Sequence, residues 1–400
     1  MLIRKRGDER LILRLLLATC GAVLQNGCED PSTRTDPPLV VQNPYAGGGA
    51  WYKADFHLHS THSHGLMMPG ELAELYADAG YRVIAITDHN CFGDQDGGRL
   101  AEMQNDTLLH DWNGDGRTYP DQVPGSGVEA YVRDWNVEPP AYHRERWFRP
   151  ADASINDVPL VLSGYEASEG YFAAHFGLVG FPPGAIDPPR PGFEWLTRSR
   201  AAGGFAYIAH PSEGNAFATR FAAAVPVQEF DGIEIINGLQ LTGGVLADAT
   251  PLWDSLLTRG HELWGLANDD AHQFPGAAEQ FPFTAFDMVL CQAPTVEAVL
   301  AALHRGAFYA STGLLFEELR LDVHSLHVRV PGAQQVRFVG AGGRTLAVQS
   351  GESAVYRIQG DEGYVRIEAR GDLVLAPHAS WPRALWSQPF RVSSASHASP

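Results

Sequence analysis

The sequence of 400 residues has few basic side chains, no long hydrophobic run and no nucleophile motif. Lys and Arg number 29 against 47 Asp and Glu, so the formal net charge is −18. Because binding to phosphate polymers requires clustered cations, this balance argues against nucleic acid as a partner. The chain contains neither a G-x-S-x-G elbow nor a Walker loop, which excludes those two routes to catalysis. The 44% of hydrophobic residues still suffice for a sizeable core.

The N-terminal residues 1–28 are typical of an export signal. A basic start precedes an apolar run of ten residues, Leu15 to Leu24. This run is too short to cross a bilayer of about 30 Å but suits a secretory signal, with a short amphipathic helix as the alternative. A Gly-Cys pair ending at Cys28 is typical of a lipoprotein cleavage site, although Gln25 replaces the usual aliphatic residue. We therefore expect an exported protein, periplasmic or on the outer surface, with a lipid anchor at Cys28 and a flexible linker over 29–50.

Residues 51–315 alternate short apolar runs with amphipathic stretches. Residues 69–80 open with Pro and close with Gly, and their apolar positions share one helical face. Further helices are predicted at 193–202, 251–259 and 295–305. Strands are predicted at 82–87, 159–164, 175–181, 205–209, 232–236, 262–267 and 285–291. Apolar strands between helices predict a parallel α/β sheet covered on both faces, either open or closed into a barrel.

Two segments depart from this alternation. Residues 91–157 are polar, rich in turn residues and too long for an ordinary connection, so we interpret them as an insertion over one end of the sheet. Residues 316–395 alternate apolar and polar residues between glycine turns, which predicts a small C-terminal all-β domain of antiparallel strands. In the body only Cys91 and Cys291 could form a disulfide, and two unpaired thiols are the favoured interpretation.

Histidine is abundant and unevenly distributed. Eleven of the 16 histidines lie between His57 and His272, and most predicted strands there end in a His or a carboxylate. His57 and His59 alternate on one strand, so their side chains share a face. Taken singly, each histidine is more typical of a hydrogen-bonded core residue. Because the carboxyl ends of parallel strands meet at one edge, the set predicts a metal site, and its ligands suit Zn, Mn or Fe rather than Ca.

The order of the motifs resembles a known family. DFHLHSTHSHG, AITDH, GYE, a separate histidine, IAHP and DDAH follow one another within residues 51–315, in a pattern similar to the PHP (polymerase and histidinol phosphatase) metallohydrolases. The tail, with GAFYASTGLL, YVRIEARG and ALWSQPFRV, resembles the CehA/McbA branch, which is named for carbaryl hydrolase. The resemblance implies a distorted (β/α)7 barrel, followed by the C-terminal β domain, with a trinuclear metal centre at the carboxyl ends of the barrel strands.

The same resemblance implies which residues would hold the three ions. The first ion would take ligands from His57, His59, Glu166 and Asp270. Glu166 would bridge to the second ion, which His175 and His210 complete. The third ion would take ligands from His64, His89 and His272.

A few residues near these motifs are less clear. His64 stands at a position that is often Asp in the family. Asp88 is assigned a catalytic role, either orienting a ligand or coordinating weakly. Asp269, His62 and Asn268 have no counterpart in the motifs, so we interpret them as loop polar groups or as partners that orient the ligands.

These residues predict a metal-dependent hydrolase. A water that bridges two ions has a lowered pKa, and the resulting hydroxide would attack a phosphoryl or acyl centre while the ions stabilise the developing charge. A phosphoesterase acting on small phosphate esters is the first hypothesis. A carbamate or carboxylic ester hydrolase of the carbaryl-hydrolase type is the second. An exported metal-binding protein without catalytic activity is the alternative of another class.

Substrate choice would come from the insertion. Its arginines suit a phosphate and its aromatic residues suit an aryl substrate, although ordinary packing would explain both. These residues are Arg133, Arg144, Arg146, Arg149, Trp112, Trp135, Tyr142, Trp147 and Phe148. A calcium loop with Asp111, Asn113 and Asp115 as ligands is a further interpretation of 111–122, but Gln122 replaces the expected Glu, and a plain turn is the alternative.

Overall fold

The computed structural model describes ten segments of the chain, and every structural statement refers to them: residues 39–60, 65, 69–88, 159–167, 175–181, 194–211, 227–242, 248–272, 282–375 and 380–394. All of them belong to one unit, Leu39–Pro400. The export signal, the insertion, the calcium loop and Cys91 lie outside the described residues. So do His62, His64 and His89.

Helices and strands alternate through the first half of the unit. The helices are α1 (Pro69–Asp78), α2 (Glu194–Ala201), α3 (Gly238–Thr242), α4 (Thr250–Thr258) and α5 (Val296–His304). The strands up to residue 311 are β1 (Leu39–Gln42), β2 (Ala50–Leu58), β3 (Val83–Ile86), β4 (Leu160–Leu162), β5 (Gly164–Ala167), β6 (Phe176–Val179), β7 (Phe205–Ile208), β8 (Gly232–Asn237), β9 (Trp264–Asn268), β10 (Phe286–Cys291) and β11 (Phe308–Ser311). The prediction of a mixed α/β fold is confirmed.

Local sequence explains where the longer helices begin. Thr295 precedes α5, and its side-chain oxygen accepts a hydrogen bond from Ala298 N at 3.3 Å, which satisfies one of the unpaired amides of the first turn. α4 carries Pro251 in its first turn, where a missing N–H costs nothing. Among the described residues, no helix is both long and apolar enough to cross a membrane.

The strands near the site form two sheet regions with mixed directions. β2, β3 and β4 pair in parallel, and so do β7, β8 and β9. β6, however, runs antiparallel to both β5 and β7, which corrects the prediction of a parallel sheet throughout. For the pair β5 and β6 the reason is the connection at 168–175, because eight residues are too few for the crossover that a parallel pair needs. An isolated parallel bridge, Leu58 to Ala271, joins the end of β2 to the segment after β9.

The last part of the chain consists of antiparallel strands. They are β12 (Glu318–Asp322), β13 (Ser325–Arg329), β14 (Ala333–Gly340), β15 (Arg344–Ser350), β16 (Ser353–Arg357), β17 (Tyr364–Leu375), β18 (Ser380–Ser387) and β19 (Phe390–Ser394). β18 pairs with β11, so strands on either side of residue 315 share one sheet. The domain boundaries drawn from the sequence stay predictions.

β1 lies within the segment that the sequence indicates to be a flexible linker. Its four residues pair antiparallel with β19, and Leu39 stands opposite Ser394. The chain then turns at 44–47 and enters β2 at Ala50. The second half of 29–50 therefore differs from the prediction, because a short alternating run can be ordered by pairing with a distant strand that local composition does not reveal.

A buried side chain joins the two sheet regions where backbone pairing stops. Gln388, which follows β18, accepts a hydrogen bond from Gly265 N at 2.8 Å and donates one to Gly265 O at 2.7 Å. The backbone N–H of Gln388 donates to Tyr45 Oη at 2.7 Å, and Tyr45 Oη donates to Phe308 O at 3.1 Å. Gln388 thus replaces a neighbouring strand for β9, and we call this contact the Gln388 seam.

Aromatic residues fill the core beneath the site. The Tyr207 hydroxyl is buried and donates to Phe56 O at 2.7 Å, which connects β7 with β2. Gly177 on β6 leaves the space for the Tyr207 ring, since a Cβ at this position would lie 1.9 Å from Tyr207 Cζ. Cys291 is a buried free thiol at the end of β10, as favoured by the sequence.

Candidate metal centre

Four buried side-chain atoms converge at the carboxyl ends of β2, β5 and β9. Glu166 Oε2 lies 3.3 Å from His57 Nε2 and 3.2 Å from His59 Nε2. Asp270 Oδ1 lies 3.4 Å from His57 Nε2 and 3.1 Å from His59 Nε2. The exposed fraction of these side chains is at most 6%. We call these four atoms the donor ring.

The spacing within the donor ring suits a divalent transition metal. Ligand atoms about 2.0–2.2 Å from a zinc-sized ion stand roughly 3.0–3.5 Å apart. His57 Nε2 and Asp270 Oδ1 are both buried and have no hydrogen-bond partner among the described residues, a costly arrangement unless a bound group satisfies them. The combination of imidazole nitrogen and carboxylate oxygen is the ligand set of Zn, Mn or Fe sites. The residues therefore fit such an ion.

The second oxygen of Glu166 faces another pair of histidines. Glu166 Oε1 lies 2.8 Å from His175 Nδ1 and 3.3 Å from His210 Nε2. One carboxylate thus presents an oxygen to each of two donor groups, namely His57 with His59 and His175 with His210.

His272 completes a further group with His59 and Asp270. The His59, Asp270 and His272 donor atoms lie within 4.8 Å of one another, and the two imidazole rings stack at a centroid distance of 4.0 Å. Of the nine predicted ligands, the structure brings together seven: His57, His59, Glu166, His175, His210, Asp270 and His272. The other two, His64 and His89, lie outside the described residues, and the ligand roles of all nine stay predictions.

Two of the converging residues have strained backbones. His210 has φ of 29° and Asp270 has φ of 50°, both in the left-handed region that residues with a Cβ seldom adopt. Such strain persists only where surrounding contacts hold it, and it is concentrated at functional sites. Each stands two residues after the end of a strand, His210 after β7 and Asp270 after β9.

Asp88 is fully buried beside the turn that follows His59. Its carboxylate accepts hydrogen bonds from Ser60 N at 2.7 Å and from Ser60 Oγ at 2.5 Å. The backbone oxygen of Asp88 accepts from Glu166 N at 3.2 Å. These contacts tie the turn after β3 to both the His59 and the Glu166 segments. The catalytic role assigned to Asp88 stays a prediction.

The carboxylates raise the pKa of the site histidines in the metal-free protein. Burial by itself lowers the pKa of His59, but the adjacent carboxylates of Asp270 and Glu166 outweigh burial and raise the pKa to about 9. The same balance with Glu166 and Asp270 raises the pKa of His210 to about 9. Burial opposes ionisation of Asp270, yet the nearby histidines, His57 first, hold its pKa well below the usual range. The centre is thus arranged to receive positive charge.

Sequence reasoning missed the buried polar groups beneath the donor ring. Glu234 on β8 is 1% exposed and contacts His57 Nδ1 at 3.2 Å. Asn268 and Asp269, interpreted above as minor partners, are both buried, and Asn268 donates to Glu234 Oε1 at 2.9 Å. Asp269 accepts from the Tyr76 hydroxyl at 2.7 Å. The signal in the sequence was a single carboxylate within the apolar run GIEII.

Comparisons with known proteins find distant structural similarity. No protein-family profile and no curated protein matches the chain. A two-domain protein from Bacteroides vulgatus containing a predicted PHP-like metal-dependent phosphoesterase is 13% identical, with a TM-score of 0.41, and the match covers 88% of this chain and 98% of that one. An amidohydrolase from Chromobacterium violaceum with bound sulfate is 17% identical, with a TM-score of 0.31 over 57% of this chain and 90% of that one.

A third structure, assigned as a metal-dependent phosphoesterase from Bifidobacterium adolescentis, is 12% identical, with a TM-score of 0.30 over 67% of this chain and 98% of that one. All three structures are at most 17% identical to this chain. They do not bear on the CehA/McbA branch, which stays a prediction.

Proposed function

We propose that this chain is a metal-dependent phosphoesterase that hydrolyses small phosphate esters. The donor ring carries the proposal, because four buried atoms of the types that bind Zn, Mn or Fe stand at ligand spacing. The proposed centre is trinuclear, and His64 and His89 are its remaining ligands. The proposed substrate is a small molecule rather than a nucleic-acid polymer, since the net charge is −18.

The proposed scaffold is a distorted (β/α)7 barrel. Strand pairing supports it in three steps: β2 pairs with β3 and β3 with β4, β5 follows β4 directly in the chain, and β5 to β9 pair in sequence. The bridge from Leu58 to Ala271 then returns from β9 to β2. Counting β4 and β5 as one broken strand, this circuit has the seven strands that such a barrel needs.

The side chains of the site have different roles in the proposed reaction. His57, His59 and Asp270 would hold one cation, and Glu166 would link it to the group formed with His175 and His210. Bound divalent cations supply a water of lowered pKa and offset negative charge on the substrate oxygens. His175 is 32% exposed whereas the other donors are at most 8% exposed, so substrate would approach past His175.

The C-terminal sequence favours a second candidate, a carbamate or carboxylic ester hydrolase. This candidate rests on the resemblance of ALWSQPFRV and GAFYASTGLL to the carbaryl-hydrolase branch. The same cations would polarise an acyl carbonyl, so the donor ring suits either substrate. Only the substrate distinguishes the two candidates.

An activity screen with a matched control tests the proposal. Purified protein loaded with Zn, Mn or Fe is assayed against p-nitrophenyl phosphate, bis-p-nitrophenyl phosphate, aryl acetates and aryl carbamates. We expect phosphate ester hydrolysis, and a fall of roughly 10²-fold or more in kcat/KM for His57→Ala, which removes a ligand. His327→Ala, on β13 and away from the donor ring, should keep full activity. Hydrolysis of aryl carbamates alone would select the second candidate, and metal binding without any hydrolysis would indicate a non-catalytic metal-binding protein.

A further inference from the structure

Glu234, which belongs to none of the motifs, lies at the centre of a buried hydrogen-bond network. Its Oε1 contacts His57 Nδ1 at 3.2 Å and Asn268 Nδ2 at 2.9 Å. Its Oε2 accepts from His210 N at 2.7 Å and from Asn237 Nδ2 at 2.9 Å. A carboxylate has about four acceptor sites, two on each oxygen. All four are used, so Glu234 has no lone pair left for a cation.

The orientation of both asparagine amides is fixed by backbone groups. Asn268 Oδ1 accepts from Phe56 N at 2.9 Å, and Asn237 Oδ1 accepts from Gln240 N at 3.0 Å. Because the oxygens are assigned by these donors, each Nδ2 must face Glu234. Three of the four contacts to Glu234 are therefore N–H donors, which is the environment of an ionised carboxylate.

The ionised carboxylate determines which nitrogen of His57 carries hydrogen. A lone pair on Nδ1 would face the Glu234 oxygen at 3.2 Å and repel it, so Nδ1 must carry the proton. In the neutral ring Nε2 then holds the lone pair. Nε2 is the atom that lies 3.3 Å from Glu166 Oε2 and 3.4 Å from Asp270 Oδ1. Glu234 thus fixes the tautomer in which His57 can join the donor ring.

The network also holds the two strained residues. Glu234 accepts directly from the amide of His210, whose φ is 29°. Asn237 Nδ2 donates both to Glu234 and, at 3.1 Å, to Asp270 Oδ2, and Asp270 has φ of 50°. With Oδ2 engaged by Asn237, Oδ1 is the oxygen that faces the histidines. His57, His210 and Asp270 therefore all depend on one side chain.

We propose that Glu234 is a positioning residue that sets the metal affinity of the centre without contacting the metal. It does so by fixing the His57 tautomer and by holding His210 and, through Asn237, Asp270. This inference rests on the proposed function in one respect, namely that these three residues are metal ligands. Partners that orient metal-binding histidines typically change affinity by about 10–100-fold when they are removed.

Titration of metal-free protein with Zn²⁺ against a competing chelator tests the proposal. Glu234→Gln keeps the size of the side chain but replaces one acceptor oxygen with an N–H donor. We expect a Zn²⁺ affinity about 10–100-fold below that of the unaltered protein. We also expect an altered visible absorption of bound Co²⁺, which reports ligand geometry independently of activity.

Asp287→Asn is the matched control. Asp287 is fully buried on β10, and its Oδ1 accepts a hydrogen bond from Ala267 N at 3.2 Å. We expect its Zn²⁺ affinity to stay within about twofold of the unaltered protein, which separates the loss of any buried carboxyl group from the loss of positioning. Should Glu234→Gln not fold, Glu234→Asp takes its place, because the shortened carboxylate cannot reach all four donors and should give an intermediate loss.

The outcomes separate this inference from the proposed function. Unaltered protein that binds no divalent metal overturns both. Unaltered protein that binds Zn²⁺, with a folded Glu234→Gln or Glu234→Asp variant of equal affinity and an unchanged Co²⁺ spectrum, overturns the role of Glu234 alone. An equal loss in Asp287→Asn assigns the effect to the loss of any buried carboxyl group and also overturns it.

Discussion

Protons and cations compete for the same nitrogen atoms of His59 and His210. Both groups have pKa values of about 9 in the metal-free protein, because the adjacent carboxylates of Glu166 and Asp270 outweigh burial. A proton on the ring nitrogen occupies the lone pair that would bind a metal, so metal binding must displace it. The affinity for metal is therefore linked to pH over a range higher than that of an ordinary histidine, whose pKa is about 6.5.

We predict that Zn²⁺ affinity rises as the pH rises from 7 to 9.5, and that protons are released on binding at pH 8. Titration calorimetry in buffers of different ionisation enthalpy measures the number released. His59→Gln should reduce that number, whereas His327→Ala should not. An affinity independent of pH over this range would show that the histidines are already neutral in the metal-free protein.

The same pKa values determine how the stability of the metal-free protein depends on pH. The folded pKa of about 9 lies above the unfolded value of about 6.5, so protonation of His59 and His210 stabilises the metal-free fold fully below pH 6.5. That contribution is lost as the pH rises through about 9. The free energy of unfolding of metal-free protein should accordingly fall between pH 6.5 and 9.5 in denaturant titrations.

At the level of single residues, the sequence predicts the candidate ligands better than the residues that orient them. His57 and His59 are recognisable because they alternate on a strand and belong to a motif. Glu234 lies in no motif, and its importance depends on Asn237, Asn268 and His210, which approach it from other elements. Only the folded arrangement shows that one carboxylate serves several ligands.

Among the secondary-structure elements, periodicity predicts existence and type but not direction. The predicted helix at 295–305 is observed as α5, and the run at 232–236 is observed within β8. The reversal of β6 is not encoded in its own residues, since FGLV would suit either direction. It follows from the length of the connection at 168–175. The pairing of β18 with β11 could not be predicted from local sequence either, because it joins segments about 75 residues apart.

We predict that Gln388→Ala lowers the free energy of unfolding by about 2–4 kcal/mol, because it leaves the buried Gly265 N–H and C=O without partners. Urea unfolding followed by circular dichroism measures the change. Gln349→Ala is the matched control, since Gln349 makes the same pair of hydrogen bonds to Val355 N and O in an exposed position. Its expected cost is below about 1 kcal/mol, because water replaces the lost partner. Equal costs would mean that the Gln388 seam does not stabilise the junction of the sheets.

At the scale of the whole molecule, carboxyl groups are found inside as well as outside. Burial, followed by the charge of Asp269, raises the pKa of Asp55 well above the usual range. Burial, with a contribution from Glu234, does the same for Asp287. These carboxylates lie beneath the donor ring of a chain whose net charge is −18. Bound divalent cations would relieve this crowding, and they would make the site locally positive for a small phosphate.

We predict that divalent metal at 100 times its Kd raises the Tm by about 2–5 °C, since binding to the native state alone adds about 2.7 kcal/mol to a domain of this size. Differential scanning calorimetry with and without Zn²⁺ measures the shift. His57→Ala should lose most of it, and His327→Ala should retain it. A rise of the same size in His57→Ala would place the stabilising ion elsewhere.

Export and a lipid anchor at Cys28 remain proposals from the sequence.

The pairing of β1 with β19 has a consequence for the path of the chain. Leu39 and Ser394 stand opposite each other on neighbouring strands, so the first and last described residues lie roughly 5 Å apart. The polypeptide between them therefore traces a nearly closed loop. A linker of a few residues would join these two points, and a circularly permuted gene could then open the chain at a surface turn such as the one between β12 and β13 without changing the order of strands in any sheet.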